Sequence, residues 1–235
     1  MNLMCLGLEQ LSIRKPSEIC LVRHGYSTKN EEDRHGGDGL LTPRGRKEIE
    51  RAYFRIEAFY RPLNHLIMRI YSSSSPQVLS SAKILSRRFH VNISVDPRIE
   101  PLDLGVLSGL SIEEAKARYP GSASRLQEWR DGKREITQLY IPRSENLKEF
   151  WQRGVDFIHD LGNLGGLSIV MGTRSILTLL INIMLGHSIN RGDGYCAIEV
   201  PTGGIASFKG VQGKWQVRSK QLWDVRLVQK QKKDS

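Results

Sequence analysis

Three cysteines among 235 residues, Cys5, Cys20 and Cys196, are too few and too scattered for a disulfide framework, and none has metal-ligand spacing. Cys20 and Cys196 lie in apolar runs, which reads as buried thiols and a reducing, cytoplasmic setting. No His/Cys/Asp cluster has ligand spacing either, so neither a metal nor another cofactor is expected. Apolar runs are short. Ile176 to Leu185 is interrupted by Asn182 and falls below the roughly 20 residues of a bilayer-crossing helix, so no membrane partner is expected. The first seventeen residues contain Glu9 and only a brief apolar stretch, a poor match to a signal peptide. Internal repeats and low-complexity segments are missing too. Acidic residues are the minority, 25 against 35 Lys and Arg, for a net charge of +10 that favours anionic partners. The excess is dispersed and lacks the basic-aromatic interleaving of single-strand binders, which ranks nucleic acid last.

What is present is an apolar run ending in a charged pair. Ile19 to Val22 stops at Arg23 and His24, followed by Gly25 and small polar residues. This predicts a buried strand over about 18–23 that delivers a guanidinium and an imidazole to the mouth of a sheet, where open α/β sheets bind ligands. Arg grips anions through paired donors, and a neutral imidazole attacks or accepts a proton. A surface Arg-His pair in a turn is the plain alternative at this point. Thr42 then caps a helix opened by Pro43, with Ile49, Ala52, Tyr53, Ile56 and Phe59 at helical spacing. Leu66 to Tyr71 is a second strand, Pro76 to about Phe89 a helix, and Val91 to Val95 a short strand. A loop fills 97–110, and Ser111 with Glu114 forms a capping box for a helix ending near Tyr119-Pro120. The pattern weakens over 121–142, which reads as an insertion near the site. Ser144 caps a helix to about Leu161. Leu167 to Met171 is a strand broken at Gly172, and Ser175 to Leu185 a helix. Ala197–Val200, Ile205–Lys209 and Lys214–Arg218 read as strands, the last two forming a hairpin. This alternation predicts a three-layer α/β/α sandwich with a mostly parallel central sheet over 18–220, an N-terminal extension over 1–17 and a basic tail over 221–235.

The run Leu21-Val22-Arg23-His24-Gly25-Tyr26-Ser27-Thr28-Lys29-Asn30, followed by Leu41-Thr42-Pro43-Arg44-Gly45, resembles the opening of the histidine phosphatase superfamily (phosphoglycerate mutase-like). Tyr71-Ser72-Ser73 with Ser81-Ala82, Asp103-Leu104-Gly105 with Gly109-Leu110-Ser111 and Glu114, Ser144-Glu145-Asn146, and Ile169-Val170-Met171 fall in the family's order. The resemblance implies phosphoryl transfer. A His attacks phosphorus to give a phosphohistidine, two Arg and a second His hold the phosphoryl oxygens, and a carboxylate protonates the leaving alcohol. By position, His24 matches the nucleophile and Arg23 the first Arg, while Asn30, with Ser27 beside it, matches the polar residues that hold phosphate. The second Arg is replaced by Gln77, a neutral donor; the carboxylate by Pro101, with Glu100 one residue early; the second His by Gly172. His35 and His187 read as surface residues. Arg174 is either a solvated helix start or a replacement cation.

A missing acid removes about 10²–10⁴ in rate, and a missing charge-stabilising group about 10²–10³. The leading expectation is therefore a pseudophosphatase that binds a phosphorylated small molecule, another anion or a protein partner without turning it over. The alternative is a slow or specialised phosphomonoesterase acting through a phosphohistidine at His24. A polyanion binder ranks third.

Overall fold

Consecutive apolar residues in β1 (Ser17–Arg23) face both sides of a sheet: Ile19 and Leu21 enter one core, Cys20 and Val22 the other. A strand buried on both faces needs helices on both faces. The computed structural model, which describes residues 17–190, 192, 194–211 and 214–228, supplies them. After β1 come α1 (Thr28–Glu31), α2 (Pro43–Tyr60), β2 (Ile67–Ser72), α3 (Pro76–Phe89) and β3 (Ile93–Val95). Then follow α4 (Ile112–Arg118), α5 (Pro120–Arg130), α6 (Leu147–Leu164), β4 (Gly166–Gly172) and α7 (Arg174–Met184). β5 (Ile198–Glu199), β6 (Ile205–Val211), β7 (Lys214–Val217) and β8 (Arg226–Leu227) complete the order.

Six strands form the central sheet in the order β3-β2-β4-β1-β6-β7, and β5 pairs with β8 in a separate ribbon. β3, β2, β4 and β1 run parallel, while β6 is antiparallel to β1. The chain is a three-layer α/β/α sandwich with a mostly parallel sheet. α2 and α3 cover one face through Ile49, Ile56, Val78 and Leu85, and α6 and α7 cover the other through Phe157, Ile158, Ile176 and Leu180. The register pairs Arg23 with Gly172, and the His24 N–H donates to Gly172 O at 3.1 Å. The chain therefore leaves β1 and β4 side by side at their carboxyl ends.

Two glycines let the loop after β1 sit down on α2. A Cβ on Gly45 would collide with Tyr26 O, and one on Gly25 with Gly45 O, so the two backbones touch where any side chain would separate them. Thr42 Oγ1 accepts from Gly45 N at 3.1 Å, and Pro43 occupies the first helical position. The buried stripe of α2 is Gly45, Ile49, Ala52, Ile56 and Tyr60; Tyr53 and Phe59 lie at its edges.

One local expectation is corrected. The cap of α6 is Asn146, whose Oδ1 accepts from Lys148 N at 2.8 Å, rather than Ser144. The weakly patterned 121–142 stretch begins with a helix, α5, whose buried face is Ser122, Ala123, Leu126 and Trp129. Residues 1–16, Gln212 and Gly213 within the expected hairpin connection, and the basic run over 230–233 lie outside the described residues.

Candidate functional site

A cavity of about 270 Å³ opens at the carboxyl ends of β1 and β4. The end of β1 contributes Arg23 and, just past it, His24; α1 contributes Lys29 and Asn30, the loop after it Asp33, Arg34 and His35, α5 contributes Leu126, Trp129 and Arg130, and the start of α7 contributes Thr173, Arg174 and Ser175. Pro101, Leu102 and Leu104 form an apolar wall.

His24 is 1% exposed, and its Nδ1 lies 2.8 Å from Gly25 O. A carbonyl only accepts, so Nδ1 carries the proton and Nε2 keeps a bare lone pair. Burial first, then Arg23, push the His24 pKa down to about 3, so the ring is neutral across the physiological range. Arg23 donates from Nη1 to Val200 O at 2.7 Å, and its buried Nε has no partner. Burial and Arg174 lower its pKa to about 10.

Three more cations join it. Lys29 is buried, donates to Gly37 O at 3.2 Å, and is held to a pKa of about 8 by burial and Arg23, against the pull of Asp38. Arg130 donates from Nη1 to His35 Nδ1 at 3.1 Å; burial, Arg174 and Arg23 lower its pKa to about 10. Arg174 donates to Ile198 O at 3.3 Å, and burial lowers its pKa while Glu199 and Asp131 oppose the shift. His35, as acceptor from a guanidinium, is neutral at Nδ1, and burial and Arg130 take its pKa to about 4. The amino end of α7 adds its dipole to the same cavity. Four cations hydrogen-bonded to uncharged partners, two neutral imidazoles and a helix terminus converge on one space, with Arg34, paired to Glu32 and Glu114, at its rim. Such an arrangement attracts an anion and offers it an unprotonated nucleophile.

The residues singled out in the sequence divide. Arg23, His24, Asn30, Arg174 and Pro101 line the cavity. Asn30 Oδ1 accepts from Ser27 N at 3.1 Å and Ser27 Oγ at 2.8 Å, leaving the amide NH₂ as its donor end. Ser27 is fully buried behind Asn30 and does not line the cavity. Gln77 does not either: it is fully buried, its Oε1 accepts from Gly39 N at 3.0 Å and its Nε2 donates to Gly37 O at 3.4 Å. It is a strut under the 37–39 loop rather than a phosphate ligand. Gly172 lies against α7, where a Cβ would come within 2.8 Å of Ile176 Cγ2 and 3.0 Å of Leu177 Cδ2. Glu100 accepts from Ser74 N, and Asp103 from Gly105 N and Ser108 Oγ, both off the cavity.

His35 is a correction: it is 5% exposed and lines the cavity, its backbone bridged to Leu110 O and Gly109 N, so it is no surface residue. His187 is half-buried against Asn182 Oδ1 at 2.9 Å, away from the cavity. Sequence reasoning missed Lys29 and Arg130 as site residues. The available signal for Lys29 was its place inside the quoted run; Arg130 had none beyond lying in the stretch expected near the site. Among the described residues no group of three or more His, Cys, Asp or Glu could hold a metal ion, and no helix is long and apolar enough to cross a membrane.

The sequence model for the histidine phosphatase superfamily (branch 1) matches residues 19–221. A 6-phosphofructo-2-kinase/fructose-2,6-bisphosphatase from Caenorhabditis elegans is 31% identical over 108 residues, 46% of this chain and 22% of that one. The chain spans between 21% and 59% of the length of the curated relatives it matches. A mycobacterial glucosyl-3-phosphoglycerate phosphatase structure superposes with a TM-score of 0.71 at 19% identity, covering 89% of this chain and 99% of that one. A phosphoglycerate mutase structure from Bacillus anthracis gives 0.67 at 17% identity, covering 88% and 93%. At these identities the structural likeness speaks for the fold.

Proposed function

The chain belongs to the histidine phosphatase superfamily, and from that premise we propose that it holds the phosphoryl group of a small phosphorylated molecule in the cavity at the ends of β1 and β4. The observation that carries this reading is the convergence of Arg23, Lys29, Arg130 and Arg174 on one space, each with an uncharged hydrogen-bond partner. Desolvated cations that hydrogen-bond no carboxylate, with Asp38, Asp131 and Glu199 acting only through space, are costly until an anion arrives. Towards alkyl phosphomonoesters the chain acts as a pseudophosphatase, because Pro101 stands where the family's acid is expected and the wall beside it is apolar. A cytoplasmic setting goes with this reading.

One observation favours a second reading, slow phosphomonoester hydrolysis through a phosphohistidine at His24. The Nδ1 to Gly25 O contact leaves Nε2 unprotonated, as an attacking nitrogen requires.

Calorimetric titration with inorganic phosphate, for wild type and Arg23→Met, tests the binding; p-nitrophenyl phosphate hydrolysis by wild type and His24→Ala across pH 5 to 8 tests the chemistry. Phosphate binding that weakens at least tenfold in Arg23→Met, without His24-dependent hydrolysis, supports the first reading. Hydrolysis lost in His24→Ala supports the second. Absence of phosphate binding by the wild type sinks both.

A further inference from the structure

The four cations hang from two separate parts of the chain. Arg23 and Arg174 are held by neighbouring carbonyls, Val200 O at 2.7 Å and Ile198 O at 3.3 Å. Lys29 and Arg130 are held by the loop across the cavity, at Gly37 O (3.2 Å) and His35 Nδ1 (3.1 Å). A phosphomonoester brings about −1.5 to −2 of charge at pH 7, enough for one of these pairs. The other pair is left to meet a second anionic group. The cavity's carboxylates give a second constraint. Among the described residues Asp33 is the one carboxylate that lines it, and Asp33 is exposed, while Pro101, Leu102 and Leu104 form an apolar wall.

From the paired cations and the missing inner acid we infer that the substrate of this site is a compact phosphoanhydride, a monoester of diphosphate cleaved at its terminal phosphoryl group. The inference rests on the phosphoryl-binding reading above and names its substrate class. The Nε2 lone pair of His24 forms a bond to the terminal phosphorus, and the bridging P–O bond breaks with its electron pair on the departing phosphomonoester. That group leaves as a dianion whose conjugate acid has a pKa of about 6, so it departs without a delivered proton. An alkoxide, comparable in basicity to hydroxide with its parent pKa of about 15.7, does not. A water then attacks the phosphorus, the P–N bond breaks with its pair returning to Nε2, and the surplus water proton passes to the phosphate product or to solvent. One anhydride and one water give one phosphomonoester and one inorganic phosphate. The second pair of cations holds the departing phosphomonoester, and a volume of about 270 Å³ keeps the organic group small.

The test follows methyl diphosphate and methyl phosphate by ³¹P NMR at pH 7 with EDTA, using wild type, His24→Asn and Lys29→Met, with inorganic phosphate titrated in parallel. Methyl diphosphate is expected to give methyl phosphate and phosphate with kcat/KM about 10²–10⁴ above that for methyl phosphate, the factor an acid would have supplied. The reaction is expected to vanish in His24→Asn, and acid-labile phosphohistidine to be trapped in the wild type by alkaline quench. Lys29→Met should weaken methyl diphosphate binding at least tenfold and phosphate binding by less. Equal rates on the two esters, or methyl phosphate turnover that disappears in Asp33→Asn, would mean an acid sits at the rim and would overturn the inference. Phosphate binding without tighter binding or cleavage of methyl diphosphate overturns the inference alone. Absence of phosphate binding overturns the underlying reading as well, so the two failures are distinguishable.

Discussion

Replacing Arg130 by methionine keeps much of the side chain's apolar stem and removes one of four mutually repelling charges. Burial, Arg174 and Arg23 hold the Arg130 pKa to about 10 against its ordinary 12.5. At about 1.4 kcal/mol per tenfold, that gap is about 3 kcal/mol of unfavourable charge, and solvent at the partly exposed head reduces it to about 1–2 kcal/mol. A base whose folded pKa lies below its unfolded one weakens the fold at every pH where both states are charged. The penalty is therefore fully present at pH 7 and is relieved only above about pH 10. Losing the hydrogen bond to His35 Nδ1 offsets about 1 kcal/mol. The net effect is a ligand-free protein that melts at the same temperature or up to about 2–4 °C higher. Phosphate reverses the order. At one hundred times its Kd it stabilises the wild type by about 2.7 kcal/mol, or about 5–10 °C for a chain of this size. Removing one charged donor costs about 1.5–3 kcal/mol of binding, so at the same concentration the variant keeps only about 0.3–1.3 kcal/mol of that response. Differential scanning calorimetry with and without phosphate reads both numbers. A variant that melts lower without ligand yet responds to phosphate as the wild type does would make Arg130 a structural residue and refute the reasoning.

Acid should unfold the protein through its two buried imidazoles. With folded pKa values of about 3 for His24 and about 4 for His35 against an ordinary 6.5, the unfolded chain binds more protons below about pH 6.5. Stability is therefore expected to fall by about 4 kcal/mol between pH 7.5 and pH 5, the two rings contributing about equally. Urea melts of wild type and His35→Asn across that range check it, with roughly half the slope remaining in the variant. Gly45→Ala is expected to lose at least about 2 kcal/mol and phosphate binding together, since the new Cβ must displace Tyr26 O; a urea midpoint unchanged from wild type would contradict that packing. Gln77→Arg is expected to destabilise by about 2–4 kcal/mol, because it buries a cation and removes two bonds to the 37–39 loop. A denaturation midpoint at or above wild type would show that the slot accepts it.

The sheet was legible because β1 and β4 are nearly unbroken apolar runs, the pattern of strands covered on both faces. Thr42-Pro43 marked the start of α2 for an equally local reason. α5 was not legible: its buried stripe begins with Ser122 and Ala123, small residues that pack closely but carry no hydrophobic signal. Ser144 was the expected cap of α6; Asn146, two residues later, takes its place, as the bond from Lys148 N shows. In the site, His24 and Arg23 announced themselves because a strand end fixes both. Arg130 meets Arg23 through tertiary folding alone, at the end of a helix with no visible pattern. His35 looked exposed because its neighbours are polar and glycine-rich; it is buried because Leu110 and Gly109 clasp its backbone.

The position of Gln77 ties the two loop-side cations together. Gln77 braces the loop whose Gly37 carbonyl anchors Lys29 and whose His35 anchors Arg130. One buried neutral amide thus stands behind two positive charges that it never touches. Loosening it would free both anchors at once, so Lys29 and Arg130 behave as a unit: the anion side of the cavity has a keystone that carries no charge of its own.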